Sequence, residues 1–250
     1  LILYGTNLSV SRIASQGPGL WLQVPLQICG VFLASVWLGK KLMGSQKLSF
    51  LLAAGISICG LPAMLFTSIL TRAKEEDLGT AAIAVTLFGL IGIFLYPLIM
   101  IWLEFSREFY ADFCGSTLPF ASMIKIASAT GGSQCMEAAL LVKNLRGLFI
   151  IPFVLFLYFK TRTESRIPWF FWGFLGTAIL FSVFSIPCVA SGAKELAVLF
   201  LGIALTGIGL NLKLEEIYNT GGFPLVAGIG AWLILIAIFF IRNLLIPFTG

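Results

Sequence analysis

The stretch LLAAGISICGLPAM, residues 51–64, places two glycines and a proline near the middle of an apolar segment. Gly55 and Gly60 add backbone flexibility, and Pro62 lacks a backbone N–H and clashes with the preceding turn. We therefore predict that the helix breaks or kinks here; the alternative is a plain proline kink that serves packing alone. A break at membrane depth frees backbone groups, which are tolerated only where protein or a watery cavity satisfies them.

A second stretch, FCGSTLPFASMIKIASATGG at residues 113–132, repeats this chemistry with Gly115, Pro119 and a closing Gly-Gly pair. It is too polar for a helix that faces lipid. Its small hydroxyl residues could bond the oxygens of a solute, or they could only let helices approach closely. The hydroxyl residues selected as candidates are Ser116, Thr117 and Ser122.

The composition of the whole chain demands a lipid environment. Of its 250 residues, 59% are hydrophobic and 11% are charged, whereas a soluble domain carries roughly 25% charged residues. Eight candidate segments approach or reach the length that spans the roughly 30 Å hydrocarbon core of a bilayer. They are residues 20–38, 48–70, 80–103, 113–130, 138–159, 168–186, 196–212 and 223–241. The sequence thus predicts an all-α polytopic transmembrane helix bundle.

We interpret residues 1–250 as a single transmembrane transport domain. Leu1 is not a methionine, and residues 1–10 resemble the last turns of an apolar helix, so we expect N-terminal helices to be missing from this chain. Nearly all charged residues fall in the connections between the spans. Asp112 and Arg242 are among those assigned to connections.

The residue types that are missing or scattered exclude several function classes. The chain has no histidine, which removes Ser-His-Asp triads and His-ligated metals. The five cysteines are widely spaced, which favours packing roles over a disulfide framework or a CxxC metal site. Basic residues form no patch interleaved with aromatics, so nucleic acid is not an expected partner. We expect no enzyme activity, cofactor or metal; the expected partners are a small-molecule or anion solute and membrane lipid, and a homo-oligomer is compatible with the sequence.

The strongest single feature is the pair Lys143 and Arg146 inside the apolar stretch MEAALLVKNLRGLFIIPF, residues 136–153. Their i, i+3 spacing places them on one helical face. Each charge costs at least about 2.5 to 3.5 kcal/mol at mid-membrane. We predict that the pair faces the bundle interior and attracts an anion. The alternatives are snorkelling to an interface or structural pairing with Glu137.

Several motifs of the chain resemble the YeiH-type family, whose members carry the label sulfate exporter. They are GISICG, RAKEEDLGTAAIAVTLFG (residues 72–89), FLYPL (94–98), EAALLVKNLRGLFIIP, PWFFWGFL (168–175) and ALTGIGLNL (204–212). They occur in the family's order across nearly the whole chain. The resemblance implies a multi-pass protein of the bacterial inner membrane. It also implies an inverted-repeat, broken-helix transporter architecture, distantly like bile-acid symporters and sodium/proton antiporters.

The resemblance supports some candidate residues and departs at one place. The matching positions are Gly55, Ser57, Cys59, Gly60, Lys143 and Arg146. In the second stretch, family members read GASIHEVAQV where this chain reads GSTLPFASMI, residues 115–124. Pro119 and Phe120 therefore replace a His-Glu pair, and any proton or substrate role of that pair is absent here.

Taken together, these features predict a secondary transporter of a small solute that works by alternating access. The solute is an inorganic or organic anion, sulfate-like by family resemblance. The predicted binding residues are Gly55, Ser57, Cys59, Gly60, Gly115, Ser116, Thr117, Ser122, Lys143 and Arg146. Two alternatives stay open: a cation- or proton-coupled exchanger with Glu137 as the coupling group, and a membrane protein that transports nothing.

Overall fold

The computed structural model of the chain describes residues 18–161, 169–183 and 222–245, together with some single residues and residue pairs between 192 and 207. Ten helices can be followed within the three continuous ranges. They are α1 (Pro18–Met43), α2 (Gln46–Ala54), α3 (Leu61–Thr71), α4 (Glu75–Leu103), α5 (Arg107–Thr117), α6 (Ala121–Ser128), α7 (Ser133–Leu148), α8 (Ile150–Thr161), α9 (Trp169–Val183) and α10 (Phe223–Leu245).

Four helical stretches among the described residues are long and apolar enough to cross a membrane. They are Gly19–Met43, Glu75–Leu103, Ser133–Lys160 and Phe223–Leu244. The third of these joins α7 to α8 through a single turn at Phe149, whose amide donates to the Arg146 carbonyl. The predicted segment 196–212 and the N-terminal residues 1–10 lie largely or wholly outside the described residues.

Two further spans are interrupted helices, each built from a pair of short halves. The first runs from α2 through a π-helical turn, Gly55–Cys59, into α3. Ser45 starts it as the N-cap, accepting from the Leu48 amide, and Arg72 ends it in the left-handed conformation. The second runs from α5, capped by Ser106, through an extended link into α6 and the short 3₁₀ turn Ala129–Gly131. Both predicted breaks are therefore confirmed.

The helices pack so that the two interrupted spans lie inside a frame of longer ones. α1 runs beside α10 and α2, and α5 runs beside α7. One buried apolar cluster joins α2 and α3 to α4, α5 and α10, and its large side chains include Phe88, Tyr96, Phe113, Trp232 and Phe239. A second joins α1, α2 and α3 to α8 and α9, through side chains that include Phe32, Phe50, Phe66, Phe153 and Phe171.

Large apolar side chains also cover the outer faces of the bundle. Trp102 and Leu244 are more than four-fifths exposed, and Trp37, Phe94 and Phe159 are also exposed. Such surfaces are rare on soluble proteins and are expected where lipid is the solvent. The predicted all-α transmembrane helix bundle is thus confirmed, and no strand occurs among the residues that the structure describes.

Candidate functional site

The first break exposes backbone carbonyls in the middle of the protein. In a regular helix, the carbonyl of Ile58 would accept from the amide four residues later, but that residue is Pro62. The carbonyl of Ile56 also loses its regular donor, because the Gly60 amide bonds the carbonyl of Gly55 instead. All residues from Gly55 to Gly60 are buried, so these carbonyls need donors from elsewhere in the protein.

The second break has the same construction. The carbonyl of Gly115 would accept from the amide of residue 119, which is again a proline. Leu118 and Phe120 have extended backbone conformations, and α6 starts after Phe120. One proline in each interrupted span therefore leaves one carbonyl of the preceding half-helix without its regular partner.

The two breaks touch each other at Gly60. This residue has φ 74° and ψ −132°, a conformation that L side chains rarely adopt. A Cβ built there would meet the ring of Phe120 and the carbonyl oxygen of Pro119 at 3.0 Å or less. Glycine at position 60 thus permits the unusual turn and the close crossing of the two spans. We refer to this place, residues 55–60 and 115–121, as the crossing.

Lys143 and Arg146 on α7 supply the donors that both breaks lack. Arg146 donates from Nη1 to the carbonyls of Gly115 (3.0 Å) and Leu118 (3.3 Å), and from Nη2 to that of Ile56 (2.7 Å). Lys143 donates from Nζ to the carbonyl of Ile58 (3.2 Å). The two basic residues therefore bond the C-terminal ends of both first halves, where the helix dipole is negative.

Both members of the pair are buried, and neither forms a salt bridge with a carboxylate among the residues that the structure describes. Both side chains are 2% exposed. Among the described residues, the one salt bridge that involves buried groups joins Arg242 to Asp112, and neither Lys143 nor Arg146 takes part in it. The prediction that these two residues face the interior on one helical side agrees with this geometry, whereas Glu137 is exposed on α7 and pairs with neither.

The hydroxyl groups at the crossing already use their protons within their own helices. Ser57 donates to the Ala53 carbonyl at 2.6 Å, and Thr117 donates to the Phe113 carbonyl at 2.5 Å. Ser116 donates to the carboxylate of Asp112 at 2.8 Å. Hydroxyls bonded in this way offer lone pairs to the crossing and keep no proton for an anion.

Of the ten predicted binding residues, the structure brings nine together around the crossing. They are Gly55, Ser57, Cys59, Gly60, Gly115, Ser116, Thr117, Lys143 and Arg146, all buried. Ser122 is exposed on the first turn of α6, so its backbone lies near the crossing but its side chain is turned away from the buried centre. Gly115 is also a packing position, because a Cβ there would overlap the Ala139 carbonyl and the Val142 side chain of α7.

A buried polar network beside the crossing was missed by the sequence reasoning. Asp112 on α5 is 1% exposed and forms a salt bridge with Arg242 on α10, which is 5% exposed. Arg242 also donates to Gln27 of α1 at 2.9 Å, and Gln27 faces the carbonyl of Ser116 at 3.4 Å. The assignment of Asp112 and Arg242 to connections is therefore wrong. The predicted span 113–130 began just after Asp112 and the span 223–241 ended just before Arg242, while the helices α5 and α10 include these residues.

Tyr96 was missed as well, although it lies beside the second break. Its hydroxyl donates to the Thr117 hydroxyl at 2.8 Å, and its ring packs on Phe113 with 4.3 Å between the ring centroids. The signal available in the sequence was weak, namely a tyrosine directly before Pro97 in an apolar span. The residue ties α4 to the end of α5.

One apolar cavity lies apart from these groups. It measures about 480 Å³ and is formed by α1 and α8, with Pro25, Phe32, Phe153 and Lys160 in its wall. It contains none of the predicted site residues. The polar chemistry of the described residues is concentrated at the crossing instead.

Comparisons with known proteins agree with the motifs. A family model described as "Conserved hypothetical protein 698" matches residues 1–228. A UPF0324 membrane protein of Archaeoglobus fulgidus is 29% identical over 239 residues, which cover 95% of this chain and 72% of that protein. The UPF0324 inner membrane protein YeiH of Salmonella typhi is 32% identical over 254 residues, and that of Escherichia coli K12 is 31% identical over 252; each alignment covers 94% of this chain and 72% of the relative.

The names of these relatives state no substrate, so they do not support sulfate as the solute. No solved structure matches the chain significantly. The apolar spans and the names of the relatives agree on an integral multi-pass protein of the bacterial inner membrane. The match over residues 1–228 and the relatives above 30% identity show that the chain belongs to the UPF0324 family of membrane proteins.

Proposed function

We propose that this protein is a secondary transporter that binds a small anion at the crossing of its two interrupted helices. The observation that carries the proposal is an imbalance of charge. Lys143 and Arg146 are two basic side chains buried there, and the described residues give them backbone carbonyls but no carboxylate within salt-bridge distance. Buried charges inside a membrane are costly and are usually paired or functional.

The half-helix ends support the same sign of ligand. The C-terminal ends of both first halves are bonded by Arg146 and Lys143. The N-terminal ends of α3 and α6 start at Gly60 and Phe120, which touch each other, and neither helix has a side-chain cap or an acidic residue in its first turn. Helix N-termini carry about half a positive charge and attract anions. In the first turn of α3 the Ala63 amide bonds the Cys59 thiol, which is a weak acceptor. The negative ends are therefore occupied by basic donors, whereas the positive ends hold no charged acceptor and suit an anionic solute.

Lys143 is the side chain best suited to contact that solute directly. An ammonium group has three donors, and the Ile58 carbonyl is the acceptor that the described residues provide. Arg146 donates hydrogen bonds to three carbonyls from both breaks, so its main role is to stabilise the crossing. We infer that the anion lies between Lys143 and the amides at the N-termini of α3 and α6. Sulfate is the first candidate because of the label that the YeiH-type family carries.

Transport in this proposal follows from movement of the crossing relative to the surrounding helices, without a cofactor or a chemical reaction. Polar backbone at a break can replace the hydration shell of the anion, and rocking of one helix group against another opens the site to each side in turn. A transporter of this kind needs a concentration gradient of a solute or a coupled ion.

The proposal is tested by uptake of radiolabelled sulfate into proteoliposomes, with phosphate, chloride and small carboxylates as competitors. In Lys143→Gln the charge is removed while a donor for Ile58 is kept. A charged donor to an anion contributes about 1.5 to 3 kcal/mol, so the affinity should fall about ten- to hundredfold. Lys125→Gln is the matched control, because it removes the same charge from an exposed position of α6.

Three other outcomes would contradict the proposal. Equal uptake by Lys143→Gln and the control would show that this charge does not bind the anion. Uptake of a cation in exchange for protons, lost in Glu137→Gln, would favour the exchanger hypothesis. Absence of flux for every anion tested, by a folded protein, would indicate a membrane protein that does not transport anions.

A further inference from the structure

The buried salt bridge between Asp112 and Arg242 stands directly beside the crossing. Asp112 lies one helical turn before Gly115, whose carbonyl accepts from Arg146. The next carbonyl, that of Ser116, faces the Gln27 amide, and Gln27 in turn accepts from Arg242. The network and the Arg146 side chain therefore end on adjacent peptide groups of the same broken helix.

The network also links separate parts of the bundle. Asp112 belongs to the half-helix α5, which packs mainly on α7, whereas Arg242 and Gln27 belong to the neighbouring helices α10 and α1. Salt bridges inside membranes are expensive to form, and removing one partner leaves an unpaired buried charge. Apolar side chains could hold α5 against α10 at a lower desolvation cost. The use of two charged residues here therefore indicates a role beyond packing.

We propose that Asp112 is the proton-binding group that couples a proton to the anion, with Arg242 as the charge that the proton releases. This inference rests on the anion site proposed above. It assigns the coupling role to Asp112 in place of the exposed Glu137 that the sequence suggested.

The charged groups around Asp112 make the coupling electrostatic. Arg242 faces it from α10, and Arg146 on α7 is within range of an electrostatic interaction with it. Ser116 of its own helix, Gln27 of α1 and Asn243 of α10 add neutral polar atoms to the network. On α6, the one charged residue, Lys125, is exposed. Within the described residues, Asp112 is thus a single buried carboxylate among cations.

The proposed step moves one proton and leaves the covalent structure otherwise unchanged. A proton from water binds a carboxylate oxygen of Asp112, which becomes neutral and gives up its ionic bond to Arg242. Arg242 keeps its own proton and is now an unpaired cation next to the anion site. The added positive charge favours the anion, and by linkage the bound anion favours the proton. Proton and anion therefore bind together and cross the membrane in the same direction.

The test measures sulfate binding and sulfate uptake between about pH 5 and pH 8 in the reconstituted protein, with a pH-sensitive dye inside the vesicles. Wild-type affinity should rise as the pH falls, by up to about tenfold per pH unit, the limit for one linked proton. Asp112→Asn should bind sulfate with little dependence on pH and should carry it without protons. Glu108→Gln, an exposed carboxylate of the same half-helix, is the control and should behave like wild type.

The outcomes separate this inference from the proposed function. Sulfate uptake by the wild type without any accompanying acidification of the vesicle lumen would overturn the coupling, even where Asp112→Asn cannot be purified in a folded form. So would a pH dependence that persists in Asp112→Asn and disappears in Glu137→Gln. Absence of anion flux at every pH would instead overturn the transport function on which the inference rests.

Discussion

Replacing Arg146 by methionine tests whether this side chain holds the two breaks together. The substitution keeps an unbranched, apolar side chain in the space and removes every donor. Three carbonyls, of Ile56, Gly115 and Leu118, lose the guanidinium to which they are bonded. We expect the protein to become much less stable, because all three carbonyls are buried at the crossing.

The size of the effect follows from these contacts. A buried acceptor left without a donor costs about 1 to 3 kcal/mol, so three such carbonyls cost roughly 3 to 9 kcal/mol before the structure relaxes. Removing the guanidinium also removes the cost of burying its charge, which returns several kcal/mol. A net loss of about 3 kcal/mol is expected, a large part of the roughly 5 to 15 kcal/mol that stabilises a typical protein.

The assay is the fraction of monodisperse protein that remains after heating in detergent, followed by size-exclusion chromatography. Lys125→Met is the control, since it places the same residue at an exposed position of α6 and should change little. If Arg146→Met survives heating as well as the wild type and the control, the carbonyls do not depend on the guanidinium, and the described role of Arg146 is refuted.

Two further substitutions test the crossing and its surroundings. Gly60→Ala should lower the free energy of unfolding by about 1 to 3 kcal/mol, and with it the yield of folded protein, because it forces a side chain into a left-handed conformation against Phe120. Gly176→Ala is the control, since a Cβ there would meet nothing within 4 Å. Equal stability of the two variants would contradict the role of Gly60. Tyr96→Phe should lower the free energy of unfolding by about 0.5 to 1.5 kcal/mol, because the hydrogen bond to Thr117 is lost while the ring stays packed on Phe113. An unchanged melting curve would show that the hydroxyl does not contribute to stability.

The breaks could be predicted from the sequence because their causes are local. Pro62 and Pro119 each remove an amide that a carbonyl four residues earlier would need, and Gly60 permits a turn that other residues resist. The common face of Lys143 and Arg146 follows from their spacing alone. The hydrogen-bond partners of these two residues do not follow from the spacing, since Ile56 is 90 residues away from Arg146 in the chain.

The Asp112–Arg242 pair could not be predicted for a related reason. A charged residue at the edge of an apolar segment resembles a residue of a connection, unless its partner is known. Here the partners are 130 residues apart, and each compensates the burial of the other. Hydropathy therefore started one span too late, after Asp112, and ended the other too early, before Arg242. The one deeply buried carboxylate among the described residues was thus placed outside the membrane.

The central claim is that an anion binds where the two interrupted helices cross. The most direct measurement is an experimental structure of the protein with selenate, an analogue of sulfate whose selenium gives an anomalous signal. We expect an anomalous peak between the Lys143 ammonium and the N-termini of α3 and α6, and loss of that peak in Lys143→Gln. Selenate that is transported yet bound elsewhere, with an empty crossing, would contradict it.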